Sequence, residues 1–364
     1  MGVSWALEQT MHEGKPIQLP PREVYDLRSQ LPPPRTVPIM LAAVPDHWHG
    51  FCTEYNIRPV QITAYENPVE NQKVEPACNI FRRGVERGDH IGKKKIIDSS
   101  SGNYVFALKW VLDQIRARWK DFPIEAVVAV IPHSTPKEKR QMLEAAGIEL
   151  EYADNSLAAM DRAADLAERH GYWYTRQYWN LDNTEAWEAF ANSIADQIPD
   201  LGALSCGVGT GGSCSGIMKV LTERFAYRLL PNRFFRIAVE VEEDEIDGVP
   251  HAVDGVRGRK ALRPGTLPWR QIVDTIRIVG EDRSRICSSG LWRQEWYEPG
   301  SNCIGGYSTG FAFEGLMLGL LEMVEKGLIG ELLDRNGILW AAFLAPDTRK
   351  PYRTKYARHG IHFQ

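Results

Sequence analysis

The chain predicts an α/β protein of two domains, each a mostly parallel twisted sheet with helices on both faces. Three observations predict it. Strand-like and helix-like segments alternate, the signature of a parallel sheet covered on both sides. The 364 residues, 43% of them hydrophobic, suffice for one large core or two moderate ones. Turns rich in glycine and serine follow strands in both halves, where open α/β sheets hold their ligands.

Each element has its own justification. The first 40 residues are proline-rich and densest at Leu31-Pro32-Pro33-Pro34-Arg35. Such a run cannot be helical or sit inside a sheet, so it predicts an extended arm over the body. Asn67-Pro68-Val69-Glu70-Asn71-Gln72-Lys73 is a turn leading into an amphipathic run. Lys95-Ile96-Ile97-Asp98 reads as a strand, and Ser99-Ser100-Ser101-Gly102-Asn103 as a polar turn. Val105, Leu108, Leu112, Ile115 and Trp119 then recur at helical spacing. Residues 126–131 predict a buried strand, 136–146 a charged helix stopped by Gly147, 148–152 a strand, and 156–169 a helix ending near Gly171. The second half repeats the style, with strands at 203–208, 236–242 and 338–345 and helices at 213–225 and 309–325. The expected division is a smaller domain over 60–185, with Lys73 and the Ser-Gly-Asn turn. A larger domain over 1–59 and 186–364 carries the glycine turn, with a cleft between the two.

Composition narrows the function classes. The formal charge of −4 is spread among interspersed acids and bases, which gives no footprint for nucleic acid. No apolar run reaches the length of a membrane span, and the polar start argues against a secretory signal. Six cysteines without paired spacing suggest buried free thiols in a reducing cytoplasm. His47-Trp48-His49-Gly50-Phe51-Cys52 holds three ligand types at close spacing, but no second ligand cluster follows it. A lone triplet is usually incidental, and no metal site is expected.

Gly207-Val208-Gly209-Thr210-Gly211-Gly212-Ser213 lies between a strand and a helix. It gathers backbone N–H groups at a helix N-terminus, which favours a phosphate, and Thr210 and Ser213 add hydroxyl donors. The same glycines fit a dinucleotide fingerprint, with Glu240 or Glu242 where a ribose acid would stand. The bland reading is a tight turn with no ligand. For Lys73 it is a surface lysine, and for Ser100-Ser101-Gly102-Asn103 a simple helix cap.

Taken in order, these segments resemble the fold-type II pyridoxal-phosphate enzymes of the cysteine synthase and cystathionine beta-synthase family, whose fold is tryptophan synthase beta-like. Residues 67–73 align with the family's Asn-Pro-x-Gly-Ser-x-Lys. Ser100-Ser101-Gly102-Asn103 matches its Thr-Ser-Gly-Asn, and Gly209-Thr210-Gly211-Gly212-Ser213 its Gly-Thr-Gly-Gly-Thr. Gln177-Tyr178-Trp179-Asn180-Leu181-Asp182-Asn183 echoes Gln-Phe-x-Asn-Pro-x-Asn, and Ser308-Thr309-Gly310 echoes Ser-Ser-Gly. Pro346-Asp347-Thr348-Arg349-Lys350-Pro351-Tyr352 echoes the closing Pro-Asp-Ser-Gly-x-x-Tyr. The match runs from about residue 60 to the C-terminus. It departs at Glu70-Asn71, where the family has Gly-Ser, and at Tyr104-Val105, where it has Thr-Gly.

The resemblance implies roles. Lys73 would carry pyridoxal 5'-phosphate on its amine and shuttle the Cα proton. Asn103 would bond the cofactor's 3′ oxygen. Gly209, Thr210, Gly211, Gly212 and Ser213 would bind its phosphate. Thr348 would face the pyridine nitrogen, where a neutral hydroxyl leaves a weaker electron sink than a carboxylate and favours prompt loss of a β-leaving group. Ser100, Ser101, Gly102 and Gln177 would hold the substrate carboxylate, and the bulky Tyr104 would reshape the site beside it. Gly255-Val256-Arg257-Gly258-Arg259 is similar to a Gly-Ile-Arg-Arg segment of one branch that includes O-phosphoserine users. Arg257 would there pair with a second anionic group, and a solvated surface arginine is an equal reading. The implied activity is β-replacement on an amino acid of the O-acetylserine, O-phosphoserine or serine type, through an aminoacrylate, by a homodimer. The alternative on the same fold is β-elimination or deamination. More remote are a nicotinamide dehydrogenase and a non-catalytic pyridoxal-binding protein.

Overall fold

A computed structural model describes residues 11–12, 15–16, 37–100, 102–135, 137–226, 233–241, 245–246, 249–250, 267–292 and 305–348. The proline-dense run at 31–35 and Arg257 lie outside the described residues, as does Ser101.

Two sheets organise the chain. The larger has six strands in the order β9-β8-β7-β10-β2-β1: Thr275–Val279, Phe235–Val241, Leu201–Gly207, Leu339–Ala345, Ile57–Thr63 and Ile39–Leu41. Its five longest-paired strands run parallel, and only β1 is antiparallel, along β2. The end of the expected arm is thus an edge strand. The smaller sheet is wholly parallel, in the order β5-β4-β3-β6: Glu149–Ala153, Ala126–Pro132, Lys95–Ser99 and Trp173–Tyr174.

Each sheet is covered on both faces because its strands alternate two apolar sets. In β4, Val127, Ala129 and Ile131 join a core with helices α2 (Val74–Arg87), α3 (Asn103–Arg118) and α4 (Lys137–Ala145), through Phe81, Leu108 and Leu143. Val128 and Val130 face the other way, onto Ala159 and Ala163 of α5 (Ser156–His170). In the larger sheet, Ile237, Val239 and Phe343 pack under α1 (Asp46–Glu54), α9 (Glu281–Trp292) and α10 (Tyr307–Glu325). The opposite face meets α7 (Glu188–Gln197) and α8 (Gly212–Phe225), which follow the short α6 (Asp182–Glu185).

Local signals account for the boundaries. Asn155 accepts from the N–H groups of Leu157 and Ala158 at 3.0 and 2.9 Å to start α5, and Gly171, at φ 64°, ends it. Gly315 and Gly319 let α10 lie close on β8, since a Cβ at either would run into Val239 or Ile237. Among the described residues no helix is long and apolar enough to cross a membrane.

Candidate active site

Strand direction assembles the site. β7, β10 and β2 are parallel neighbours, so the loops at their carboxyl ends share one edge of the larger sheet. These loops carry the glycine turn, Thr348 and Lys73. In the smaller sheet β3 and β6 are likewise parallel neighbours, and their carboxyl ends carry the Ser100 turn and Gln177.

The Lys73 loop is held from within and from outside. Asn67 Nδ2 donates to Asn71 O at 2.9 Å, and Asn71 Oδ1 accepts from the Lys73 N–H at 2.9 Å. The backbone of Asn71 bridges to Asp347, and Gln72 N–H donates to Pro346 O at 2.7 Å. Lys73 is the residue before α2, partly exposed. Glu70 holds a left-handed backbone at φ 52°. That is the position where the resemblance expects glycine, and the loop keeps a glycine-like conformation without one. Next along, Thr348 is buried and its backbone bridges to Gly305, while Gly306 N–H donates to Asp347 O at 3.0 Å. The first turn of α10, with Ser308 and Thr309, is thereby set against the Thr348 loop. Thr309 Oγ1 is buried with no hydrogen-bond partner among the described residues.

The glycine turn has the form of an anion cradle. Gly211, at φ 85°, precedes α8, whose N-terminus has no side-chain cap. A Cβ at Gly211 would strike Trp269, and one at Gly212 would strike the Asn183 carboxamide. Thr210 Oγ1 accepts from Gly212 N–H at 3.2 Å and from Asn183 Nδ2 at 3.1 Å. Both lone pairs are then engaged, and its O–H remains to donate to an anion. Asn183 Nδ2 also donates to Gln177 O at 2.8 Å, which ties this cradle to the loop after β6.

Around the Ser100 turn, Ser100 Oγ accepts from Gly102 N–H at 3.0 Å, leaving its own proton to donate. Gly102 has φ 127°, and a Cβ there would strike Lys139. Asn103 begins α3 and is partly exposed. Gln177 is buried and its Nε2 donates to Ser99 O at 2.8 Å. Beneath it lies Asp98, a fully buried carboxyl that accepts from Thr175 Oγ1 and from Gln177 N–H at 3.0 Å. Burial pushes its pKa up to about 7.

Tyr104 lies deeper than its neighbours in the turn. It is 1% exposed and packs in the core of the smaller sheet, and burial followed by the Asp98 carboxyl pushes its hydroxyl above the ordinary phenol range. The first turn of α3 points it inward, and its bulk fills the core of the smaller sheet. Asp98 and Trp269 had no role in the sequence reading; they act through other residues, and no motif marks such positions. Asn183 closes the 177–183 segment that echoes the family motif, but its bond to Thr210 has no signal in the sequence. The triplet His47, His49 and Cys52 is not gathered. Cys52 Sγ instead lies 3.7 Å from Met317 Sδ, with its pKa pushed up to about 12 by burial.

A pyridoxal phosphate fits this arrangement. The uncapped nest of Gly209 to Ser213 suits a phosphate, Thr348 offers a buried hydroxyl one strand along, and Lys73 supplies an amine one strand further on the same sheet edge. Comparison with known proteins agrees. The cysteine synthase of Staphylococcus aureus (strain Mu50 / ATCC 700699) is 27% identical over 283 residues, covering 75% of this chain and 84% of that protein. The O-acetylserine dependent cystathionine beta-synthase from Helicobacter pylori superposes with a TM-score of 0.65 at 20% identity, over 82% of this chain and 89% of that one. A hydrogen sulfide-producing enzyme from Fusobacterium nucleatum gives 0.63 at 22% identity, over 82% and 91%. The family model described as pyridoxal-phosphate dependent enzyme matches residues 64–322, and the chain belongs to that family.

Proposed function

We propose that the chain replaces a β-substituent on a small amino acid, in the manner of a cysteine synthase, using a donor of the O-acetylserine, O-phosphoserine or serine type. The observation that carries this reading is the Asn71–Asp347 bridge, which sets the Lys73 loop beside Thr348. A buried neutral hydroxyl at that edge suits expulsion of a leaving group more than a long-lived carbanion. Bound pyridoxal phosphate supplies the electron sink for charge developing at the substrate Cα.

The chain's own residues do the rest. The Lys73 amine takes the Cα proton and returns it. Ser100 and Ser101 donate to the substrate carboxylate, and Gln177, already fixed on Ser99 O, uses its second N–H there. Asn103 orients the cofactor's 3′ oxygen, and Gly209 to Ser213 with Thr210 Oγ1 hold its phosphate. Arg257 receives a second anionic group of the substrate. The reading includes a homodimer and a cytoplasmic setting, in keeping with five described cysteines that are all free and buried. It also includes the division into a domain over 60–185 and one over the remainder.

The rival on the same site is β-elimination, the direction suggested by the sulfide-producing structural relative. One experiment separates them. The purified holoenzyme is mixed singly with O-acetylserine, O-phosphoserine, serine and cysteine, and its visible spectrum and products are followed with and without added sulfide. A spectral shift with a new amino acid formed only when sulfide is present supports replacement. Keto acid and ammonia regardless of nucleophile support elimination. A spectrum unmoved by all four sinks both.

A further inference from the structure

Three side chains outside the cofactor site converge from three helices. His47 stands on α1, Cys287 on α9 and Glu314 on α10. Cys287 Sγ is 2.9 Å from Glu314 Oε2 and 3.7 Å from His47 Nε2, and His47 Nε2 is 3.6 Å from the same oxygen. We propose that they form a binding site for a borderline-soft divalent cation of the zinc class, with water in the fourth position.

The distances support it. With metal–sulfur near 2.3 Å and metal–nitrogen or metal–oxygen near 2.0–2.1 Å, a tetrahedron separates its ligand atoms by about 3.3–3.6 Å. Two of the three separations already lie close to that. The third is a thiol hydrogen bond, which opens by about half an ångström when a metal displaces the proton. On loading, the S–H bond breaks, sulfur keeps the electron pair for the metal, and the proton leaves to solvent. Thiolate, imidazole and carboxylate together select a cation of this class over calcium or magnesium.

The outer contacts orient the set. Trp48 Nε1–H donates to Glu314 Oε2 at 2.7 Å, and the Arg283 guanidinium grips Oε1 at 2.9 and 2.6 Å. The carboxylate is pinned with one lone pair of Oε2 turned toward Cys287 and His47, as second-layer contacts do in metal sites. Arg283 is half exposed on the far oxygen, so solvent screens its charge from the cation. Cys287 and Glu314 are buried, while His47 is 32% exposed and gives the entry path. The sequence expectation of no metal weighed His47 only against its neighbours His49 and Cys52. Its partners come from more than two hundred residues away.

The test uses the holoenzyme with Co2+ alone and then Zn2+ alone. The wild type is expected to develop intense tetrahedral Co2+ bands with a thiolate charge-transfer band at about one equivalent, lost on adding Zn2+. Cys287→Ser removes the charge-transfer band. His47→Ala, at a part-exposed position that leaves folding intact, weakens Co2+ binding by roughly tenfold or more. Absence of tetrahedral bands in the wild type overturns the proposal. So does either variant binding Co2+ with unchanged affinity and spectrum.

Discussion

Lys73 and Glu70 show how one loop combines chemistry and strain. Lys73→Ala is expected to abolish turnover and borohydride-trappable cofactor while leaving phosphate-dependent cofactor binding measurable. Glu70→Gly tests the left-handed backbone at φ 52°. Relief of roughly 1–2 kcal/mol of strain is set against about 0.4–1 kcal/mol of added unfolded-state freedom. A gain of up to about 1.6 kcal/mol is therefore expected by urea unfolding, and a loss of about 1 kcal/mol or more would mean the Glu70 side chain holds the loop. Asp98 brings a pH dependence. Its folded pKa of about 7 stands above the ordinary 3.8, so the folded state holds a proton that the unfolded state has released between those values. Stability from this group is full below about pH 4 and falls as pH rises through 7. Asp98→Asn should flatten the decline of melting temperature across that window, and an unchanged slope would assign it to other groups.

Among elements, α8 and its glycine turn make the sharpest case. Gly212→Ala drives a Cβ into the Asn183 side chain, which must release Thr210 Oγ1 or Gln177 O. Loss of one such positioned bond costs roughly 1.5–3 kcal/mol where a charged group is held, so cofactor affinity should fall about tenfold to a hundredfold by spectrophotometric titration. This element was legible because strand, glycines and helix follow one another in sequence. The strands at 126–132 and 339–345 were legible for a similar reason, being continuous apolar runs bounded by turns. β2 was not. Arg58 and Pro59 interrupt its pattern, yet it lies between β10 and β1 and Pro59 O accepts from Ala42 N–H at 2.9 Å. Proline argues against an interior strand from composition alone, and only the pairing overrides that. For Tyr104 the sequence shows the position at the start of a helix, and only the fold shows that the ring turns into the core. The His47 cluster was illegible since its members share no local sequence.

For the whole molecule, the candidate site depends on β10, the strand between β7 and β2 that leads into Thr348. Phe343 on that strand is fully buried and meets Phe313 edge-on with ring centroids 5.3 Å apart. Phe343→Ala should cost about 3–5 kcal/mol in denaturant unfolding. It should also weaken cofactor retention, because the same strand positions the loop that braces Lys73. Full retention by the folded fraction would separate the site from its central strand. The register that pairs Leu339 with Ile57 and Ala345 with Thr63 also has a consequence for synthesis. As the chain leaves the ribosome, β2 emerges early and must wait for β10, with the backbone N–H and C=O groups on that side unpaired meanwhile. The smaller sheet, contiguous from Lys95 to Tyr174, can close during that wait. The lysine loop is therefore among the first segments made and among the last set in place, and a nascent-chain arrest before residue 339 would yield a formed small sheet with no cofactor site.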